Sequence, residues 1–218
     1  MKQTPFFSVV IATYNRAELL KRALESLIRQ TEKEWEGIIV DDGSTDGTYK
    51  KILPFLQSYP QLKYLTKLHS GEVPSKNHGI KASTGKYITF LDSDDEYLPS
   101  HLETRKEFLM KNPEVRFLHG GIKILGNQFV PDINNPSRKI HLNDCVIGGT
   151  FFIERKTLLS LEGFHEMTLG SDNDLFQRAG VNMIKMAVID NPTYVYHHEN
   201  PDSVTNSILM ASGDRYSD

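Results

Sequence analysis

The sequence predicts an α/β fold whose first half is a Rossmann-like unit of helices flanking a central sheet, and three observations carry that prediction. Short apolar runs recur at Phe6 to Ala12, Trp35 to Val40, Tyr64 to Leu68 and Tyr87 to Leu91. Helical patterns fall between them. Two of the runs stop in carboxylates, at Asp41-Asp42 and at Asp92-Ser93-Asp94-Asp95. Buried strands of a parallel sheet read as near-continuous apolar segments, and strand–helix alternation with short loops is the pattern of βαβ units.

The elements follow in order. Phe6 to Ala12 is a buried first strand, turned by Thr13-Tyr14-Asn15-Arg16. From Ala17 to Gln30 the residues Leu19, Leu20, Ala23, Leu24, Leu27 and Ile28 recur at i, i+3, i+4 spacing, which places an apolar stripe on one face of a helix. Trp35 to Val40 is a second strand, followed by a turn rich in capping residues and a helix from about Thr48 to Ser58. Tyr64 to Leu68 reads as a third strand and Pro74 to Ala82 as a helix leading into Tyr87 to Leu91. A further helix runs from Pro99 to about Lys111 and ends at Asn112-Pro113. Val115 to Leu118 and Ile122 to Leu125 are strand-like. Gly126 to Asn143, polar and holding Pro131 and Pro136, reads as a long loop over the acceptor side of the cleft. Cys145 to Ile153 resumes a strand pattern, Lys156 to Leu161 is helical, Leu175 and Phe176 lie in another helix, and Met183 to Val188 and Thr193 to His198 are strands. One domain, 1–218, is expected.

The formal net charge is −3 with Lys and Arg scattered, so no basic face selects nucleic acid as a partner. No segment approaches the roughly 18 consecutive apolar residues of a membrane span, and the first residues form no signal-peptide pattern, which together suggest a cytoplasmic protein. Cys145 is the only cysteine, so an intramolecular disulfide or a Cys-rich zinc site is excluded. Gly-x-Gly-x-x-Gly and Walker-type loops are absent after the first strand, which lowers dinucleotide oxidoreductases and P-loop phosphotransferases.

The carboxylates after Leu91 are the main chemical signal. Ligands of open α/β sheets bind in the crevice beyond the carboxyl ends of the strands. Asp92-Ser93-Asp94 offers hard oxygen ligands on a short, solvent-facing loop, suited to Mg²⁺ or Mn²⁺ shared with phosphate oxygens of a substrate. Helix capping is the competing role, and it requires fewer acids than stand here.

The chain resembles the family-2 inverting glycosyltransferases of GT-A fold. Four blocks carry the resemblance: Ser8 to Arg16, Ile39 to Thr48, Gly85 to Asp95 and Gly163 to Arg178. It implies a mixed central sheet flanked by helices, with about 1–98 binding a nucleotide sugar and about 99–218 binding the acceptor. It also implies transfer of a sugar from a nucleotide diphosphate, UDP by default, to a saccharide or lipid-linked acceptor, in cell-surface polysaccharide or glycoconjugate synthesis. Peripheral action at the inner face of a membrane accords with that role.

Residue by residue, the resemblance assigns Ala12 and Tyr14 to the nucleotide pocket and Asp42 to a hydrogen bond from a uracil-like N–H. Lys76 stands for the family's arginine near the diphosphate, keeping the charge without the bidentate fork. Asp92 and Ser93 would contact the donor and Asp94 the metal. Either His197 or His198 would reach back to that metal, because neighbours on an extended segment point to opposite sides. Asp172 matches the aspartate of the family's Glu-Asp motif, with Ser171 in place of the glutamate, and becomes the general base; Asp174 is assigned a structural role. Two other readings stay open: a sugar nucleotidyltransferase, which lacks support from the Ala12 to Arg16 loop, and a non-catalytic nucleotide-sugar-binding module of the same fold, which the retention of Asp42, Asp94 and Asp172 opposes.

Overall fold

The computed structural model describes residues 4–132, 135–167 and 170–199. Strand β1 (Phe7–Thr13), helix α1 (Ala17–Ile28), β2 (Trp35–Asp41), α2 (Thr48–Ser58), β3 (Leu62–Thr66), α3 (Glu72–Ala82) and β4 (Tyr87–Phe90) build the first half. The rest comprises β5 (Glu96–Tyr97), α4 (His101–Lys111), β6 (Phe117–His119), β7 (Ile122–Gly126), β8 (Phe129–Asp132), β9 (Asn135–His141), β10 (Phe152–Glu154), α5 (Arg155–Ser160), α6 (Ser171–Val181), β11 (Met186–Val188) and β12 (Tyr194–His198).

A seven-stranded sheet in the order β11-β6-β10-β4-β1-β2-β3 forms the centre. The strands β4, β1, β2 and β3 run parallel, while β10 is antiparallel to both β4 and β6, so the sheet is mixed as expected. Because chain order moves outward from β1 to β3 and then returns to β4 on the other side of β1, the β1–β4 boundary is a topological switch point, where a crevice opens at the strands' carboxyl ends. A smaller sheet, β5-β12-β7, stands beside it, and β8 and β9 pair as a ribbon.

Alternation along each strand divides the core into two layers. Val9 and Ile11 point to one face with Leu20, Leu24, Ile39, Leu102 and Leu109, covered by α1 and α4. Val10 points to the other with Ile80, Phe90, Phe151, Leu158 and Leu175, covered by α3, α5 and α6. Helix α3 has few apolar residues and docks by close approach instead. A Cβ on Gly79 would lie 2.4 Å from Val10 Cγ1. Gly79→Ala is therefore expected to cost about 1–3 kcal/mol despite a better helix propensity, because branched valine cannot yield. Urea unfolding measures this, and equal stability of variant and parent would show that α3 can lift off β1 without penalty.

Three expectations are corrected. Residues 126 to 143 are not a long loop: Phe129–Asp132 and Asn135–His141 form the antiparallel β8–β9 ribbon, with Pro131 and Pro136 tolerated because a two-stranded ribbon has only edges. Cys145 to Ile153 is not one strand; short 3₁₀ turns at Leu142–Asp144 and Gly148–Thr150 precede β10, which begins at Phe152. Strand β3 starts two residues earlier than its apolar run suggests, pairing Leu62 with Gly37, whose missing side chain makes room for it, and leaving Leu68 exposed.

Candidate functional site

The shared direction of β1, β2 and β4 brings their carboxyl ends to one edge, and with them Ala12, Tyr14, Asp42 and Asp92. Asp42 is buried and accepts hydrogen bonds from Gly71 N at 2.7 Å, Ser70 N at 3.0 Å and the Lys67 ammonium. His69 Nδ1 lies 2.8 Å from its second oxygen. Burial alone would raise the carboxyl pKa; the Lys67 bond and the two amides outweigh it and hold Asp42 below its ordinary value. The Tyr14 ring is half-exposed and stacks on His69 with centroids 4.0 Å apart.

Helix α3 delivers the cation. Lys76 is buried, 2.6 Å from Glu72 and 3.1 Å from Asp92. Burial opposes its charge, but the fields of Asp92, Glu72 and Asp172 prevail and raise its pKa well above the lysine norm. Ser93, next to Asp92 in the chain, is buried too. Asp94 differs from its expected solvent-facing position: only 8% exposed, it is held 3.0 Å from Arg16. Burial raises its pKa, Arg16 pulls it down and Asp92 adds to the rise. Asp95, also buried, accepts from the Tyr194 hydroxyl at 2.6 Å and from His197 N at 2.8 Å, so β12 is fastened to the acidic loop through one carboxylate.

The histidine pair separates as alternation requires. His197 Nε2 lies 2.9 Å from Glu96 and its Nδ1 3.3 Å from Glu199, so both ring nitrogens face carboxylates. His198 Nδ1 donates to the Asn127 carbonyl at 2.6 Å, which fixes the tautomer and turns the lone pair to Nε2. That nitrogen is buried and has no hydrogen-bond partner among the described residues. A neutral imidazole whose other nitrogen is anchored to a carbonyl is the usual form of a metal-ligating histidine, and hard carboxylates with one such nitrogen suit Mn²⁺ or Mg²⁺. Among the described residues no three His, Cys, Asp or Glu side chains are gathered as a formed metal cage, so Asp94, His197 and His198 are not assembled into one.

Asp172 lies in the first turn of α6, where the helix dipole favours negative charge. It accepts from Gly148 N at 2.9 Å. Its pKa is raised from 3.8 to about 6: burial is the main cause, Lys76 opposes it, and Glu72 and Asp92 add to it. Asp174, two residues on, bonds to Arg178 at 2.8 Å and faces His165 at 3.3 Å. Arg178 in turn reaches the carbonyls of Leu161 and Gly163, which makes Asp174 a brace for the turn before α6. The Asn77 amide completes the frame by pairing with Phe164 O at 2.8 Å and Phe164 N at 2.9 Å.

The family model described as glycosyl transferase family 2 matches residues 8–159. The chain belongs to glycosyl transferase family 2. This family 2 chain is 30% identical over 158 residues to the Escherichia coli enzyme UDP-Glc:alpha-D-GlcNAc-diphosphoundecaprenol beta-1,3-glucosyltransferase WfgD, covering 70% of itself and 61% of that protein. It is 29% identical to the Campylobacter jejuni GalNAc(5)-diNAcBac-PP-undecaprenol beta-1,3-glucosyltransferase, covering 97% of itself and 70% of that protein. Among solved structures, S. aureus TarS 1-349 in complex with UDP-GlcNAc superposes with a TM-score of 0.75 at 22% identity, over 91% of this chain and 60% of that one. The mannosyltransferase PcManGT of Pyrobaculum calidifontis, solved with GDP-Man and Mn²⁺, gives 0.71 at 18% identity, over 89% and 57%. These two likenesses establish the GT-A fold. The chain spans about three fifths of the length of WfgD and of TarS 1-349.

Several residues of this candidate site leave little trace in the sequence. Gly148-Gly149 reads as an interruption in a strand, yet a Cβ on Gly148 would meet the Asp172 carboxylate at 2.4 Å and one on Gly149 the Tyr194 hydroxyl at 2.2 Å. Glu72 and Lys76 are four apart on α3, the spacing of a helical ion pair, and that signal is legible. His69 and Asn77 carry none, and Arg16, though it closes the Ser8 to Arg16 block, carries none that points to Asp94.

Proposed function

We propose that this chain transfers a sugar from a UDP-linked donor to an acceptor hydroxyl with inversion. The observation that carries the reading is the Asp172 carboxyl, half-buried in the fields of Lys76 and Asp92 and pushed up to a pKa of about 6. A carboxylate in that range is ionised at neutral pH and still basic enough to accept a proton in the transition state. Asp172 takes the proton of the acceptor hydroxyl as that oxygen bonds to the anomeric carbon, and the bond from that carbon to the diphosphate breaks on the opposite face. Lys76 meets the charge that gathers on the departing diphosphate, while Tyr14 and Asp42, beside Ala12, hold the base. The names of the E. coli and C. jejuni relatives and the UDP-GlcNAc in TarS support a UDP donor and a lipid-linked or polysaccharide acceptor.

A divalent cation, Mn²⁺ or Mg²⁺, would be held by Asp94 with His198 and would supply electrostatic stabilisation of the diphosphate. The Mn²⁺ of the archaeal mannosyltransferase supports this reading. Among the described residues no helix is long and apolar enough to cross a membrane. The lipid-linked acceptors in the relatives' names support peripheral action at a membrane face, the cytoplasmic one in this reading. The two halves, about 1–98 and 99–218, would then present donor and acceptor to one crevice within one domain.

A screen of UDP-sugars with Mn²⁺, read by thermal stabilisation and donor turnover, tests the function, since a ligand present at 100 times its Kd adds about 2.7 kcal/mol. Absence of stabilisation by every nucleoside diphosphate tried contradicts it. Asp94→Ala should reduce UDP affinity in Mn²⁺ to its metal-free value by calorimetry. Mn²⁺-dependent affinity equal to the parent's removes Asp94 from the metal site.

A further inference from the structure

Two contacts of His69 coincide with those assigned above to the nucleobase. Its ring lies on Tyr14 at a centroid separation of 4.0 Å and an interplanar angle of 22°, and its Nδ1 is 2.8 Å from Asp42 Oδ2. The Asp42 carboxylate, held ionised, can only accept. The imidazole thus sets before Asp42 a flat ring with a ring nitrogen turned to that acceptor. Uracil offers the same pair of features.

We propose that His69 occupies the nucleobase position of the donor site and must leave Tyr14 before a uridine diphosphate can seat. The inference rests on the assignment of Tyr14 and Asp42 to the base. Rings stacked at 4.0 Å leave no gap for a third, so base and imidazole exclude one another on that face. The side chain has room to swing, because it is 56% exposed. Its departure also leaves the loop in place: Lys67, Ser70 N and Gly71 N stay bonded to Asp42 and keep the segment before α3 anchored. What is exchanged is one stack and one imidazole–carboxylate contact for a stack and a hydrogen bond. His69 thereby lowers affinity for any base by its own occupancy.

Calorimetric titration of UDP into the parent, His69→Ala, Asp42→Asn and Tyr14→Ala tests this. His69→Ala should bind UDP roughly 3- to 10-fold more tightly, the size of one lost ring stack. In the parent, the His69 ring proton resonances, displaced by the Tyr14 ring current, should move toward solvent-exposed values as UDP is added. If His69→Ala binds UDP equally or more weakly while Asp42→Asn still weakens it, the pocket assignment stands and the place-holding role is overturned. If Asp42→Asn and Tyr14→Ala leave UDP affinity unchanged, the base site itself is misplaced and the inference falls with it.

Discussion

Asp172→Asn will lower the turnover of sugar transfer by roughly 10²–10⁴-fold, the contribution of a positioned proton acceptor, while donor affinity holds. The amide keeps the shape and loses the basicity. In the parent, the rate should fall as pH drops through about 6, where Asp172 takes up its proton. The stability of the same group runs the other way. Its folded pKa lies above its unfolded value of 3.8, so the ionised carboxylate weakens the native state, by nothing below pH 3.8 and by the full amount above about 6. That amount is about 3 kcal/mol at most, and the asparagine variant is freed of it. Hence Asp172→Asn should melt at or above the parent temperature at pH 8, and match it near pH 4. Asp174→Asn is the control, expected to cost stability through Arg178 and to spare the chemistry. Should Asp174→Asn be the inactive variant and Asp172→Asn transfer at the parental rate, the two roles must be exchanged.

Arg105→Ala is expected to destabilise the fold by about 3–5 kcal/mol, among the largest effects a single substitution has. Arg105 is fully buried in α4, yet its donors go to the carbonyls of Gly120 and Asn191, each at 3.1 Å, and to the Thr193 hydroxyl. Burial lowers its pKa to about 10, with Tyr97 opposing. Truncation strips one donor from each of those oxygens, leaves the Gly120 carbonyl to find another, and opens a cavity against Phe152. For a chain of this size the melting temperature should drop by roughly 10 °C. A drop below about 2 °C would mean that water replaces the guanidinium without loss. Because the same carbonyls lead into β12, the histidine pair should lose order in the variant even where it remains folded.

The parallel half of the fold is legible because its strands are buried on both faces and its helices carry apolar stripes; β1, α1, β2 and α2 fall within two residues of their expected bounds. The second half reads less well. Strands β10 and β11 are three residues each, too short for periodicity to declare, and β8 and β9 carry prolines that speak for loops. For the candidate site, Asp42, Lys76, Asp92 and Asp172 stand out in the sequence because a charge at the end of a buried strand, or within a recognisable block, seldom serves packing alone. Gly148 does not, since its contribution is a backbone N–H and a space, neither of which a residue type announces. Asp94 reads as solvent-facing because nothing in the chain says that Arg16, 78 positions earlier, closes over it.

The Asn77 side chain bonds to both backbone groups of Phe164, as a strand neighbour does, and so joins the helix bearing Lys76 to the segment whose Leu161 and Gly163 carbonyls hold Arg178 of the helix bearing Asp172. The distance between Lys76 and Asp172 is thereby set when the chain folds, and the ordering entropy is absorbed once, in the native state, before any ligand arrives. With Lys76 and Asp172 in the roles proposed for them, each catalytic cycle inherits a fixed span across the crevice, and substrate binding energy need not be diverted to drawing the two sides together.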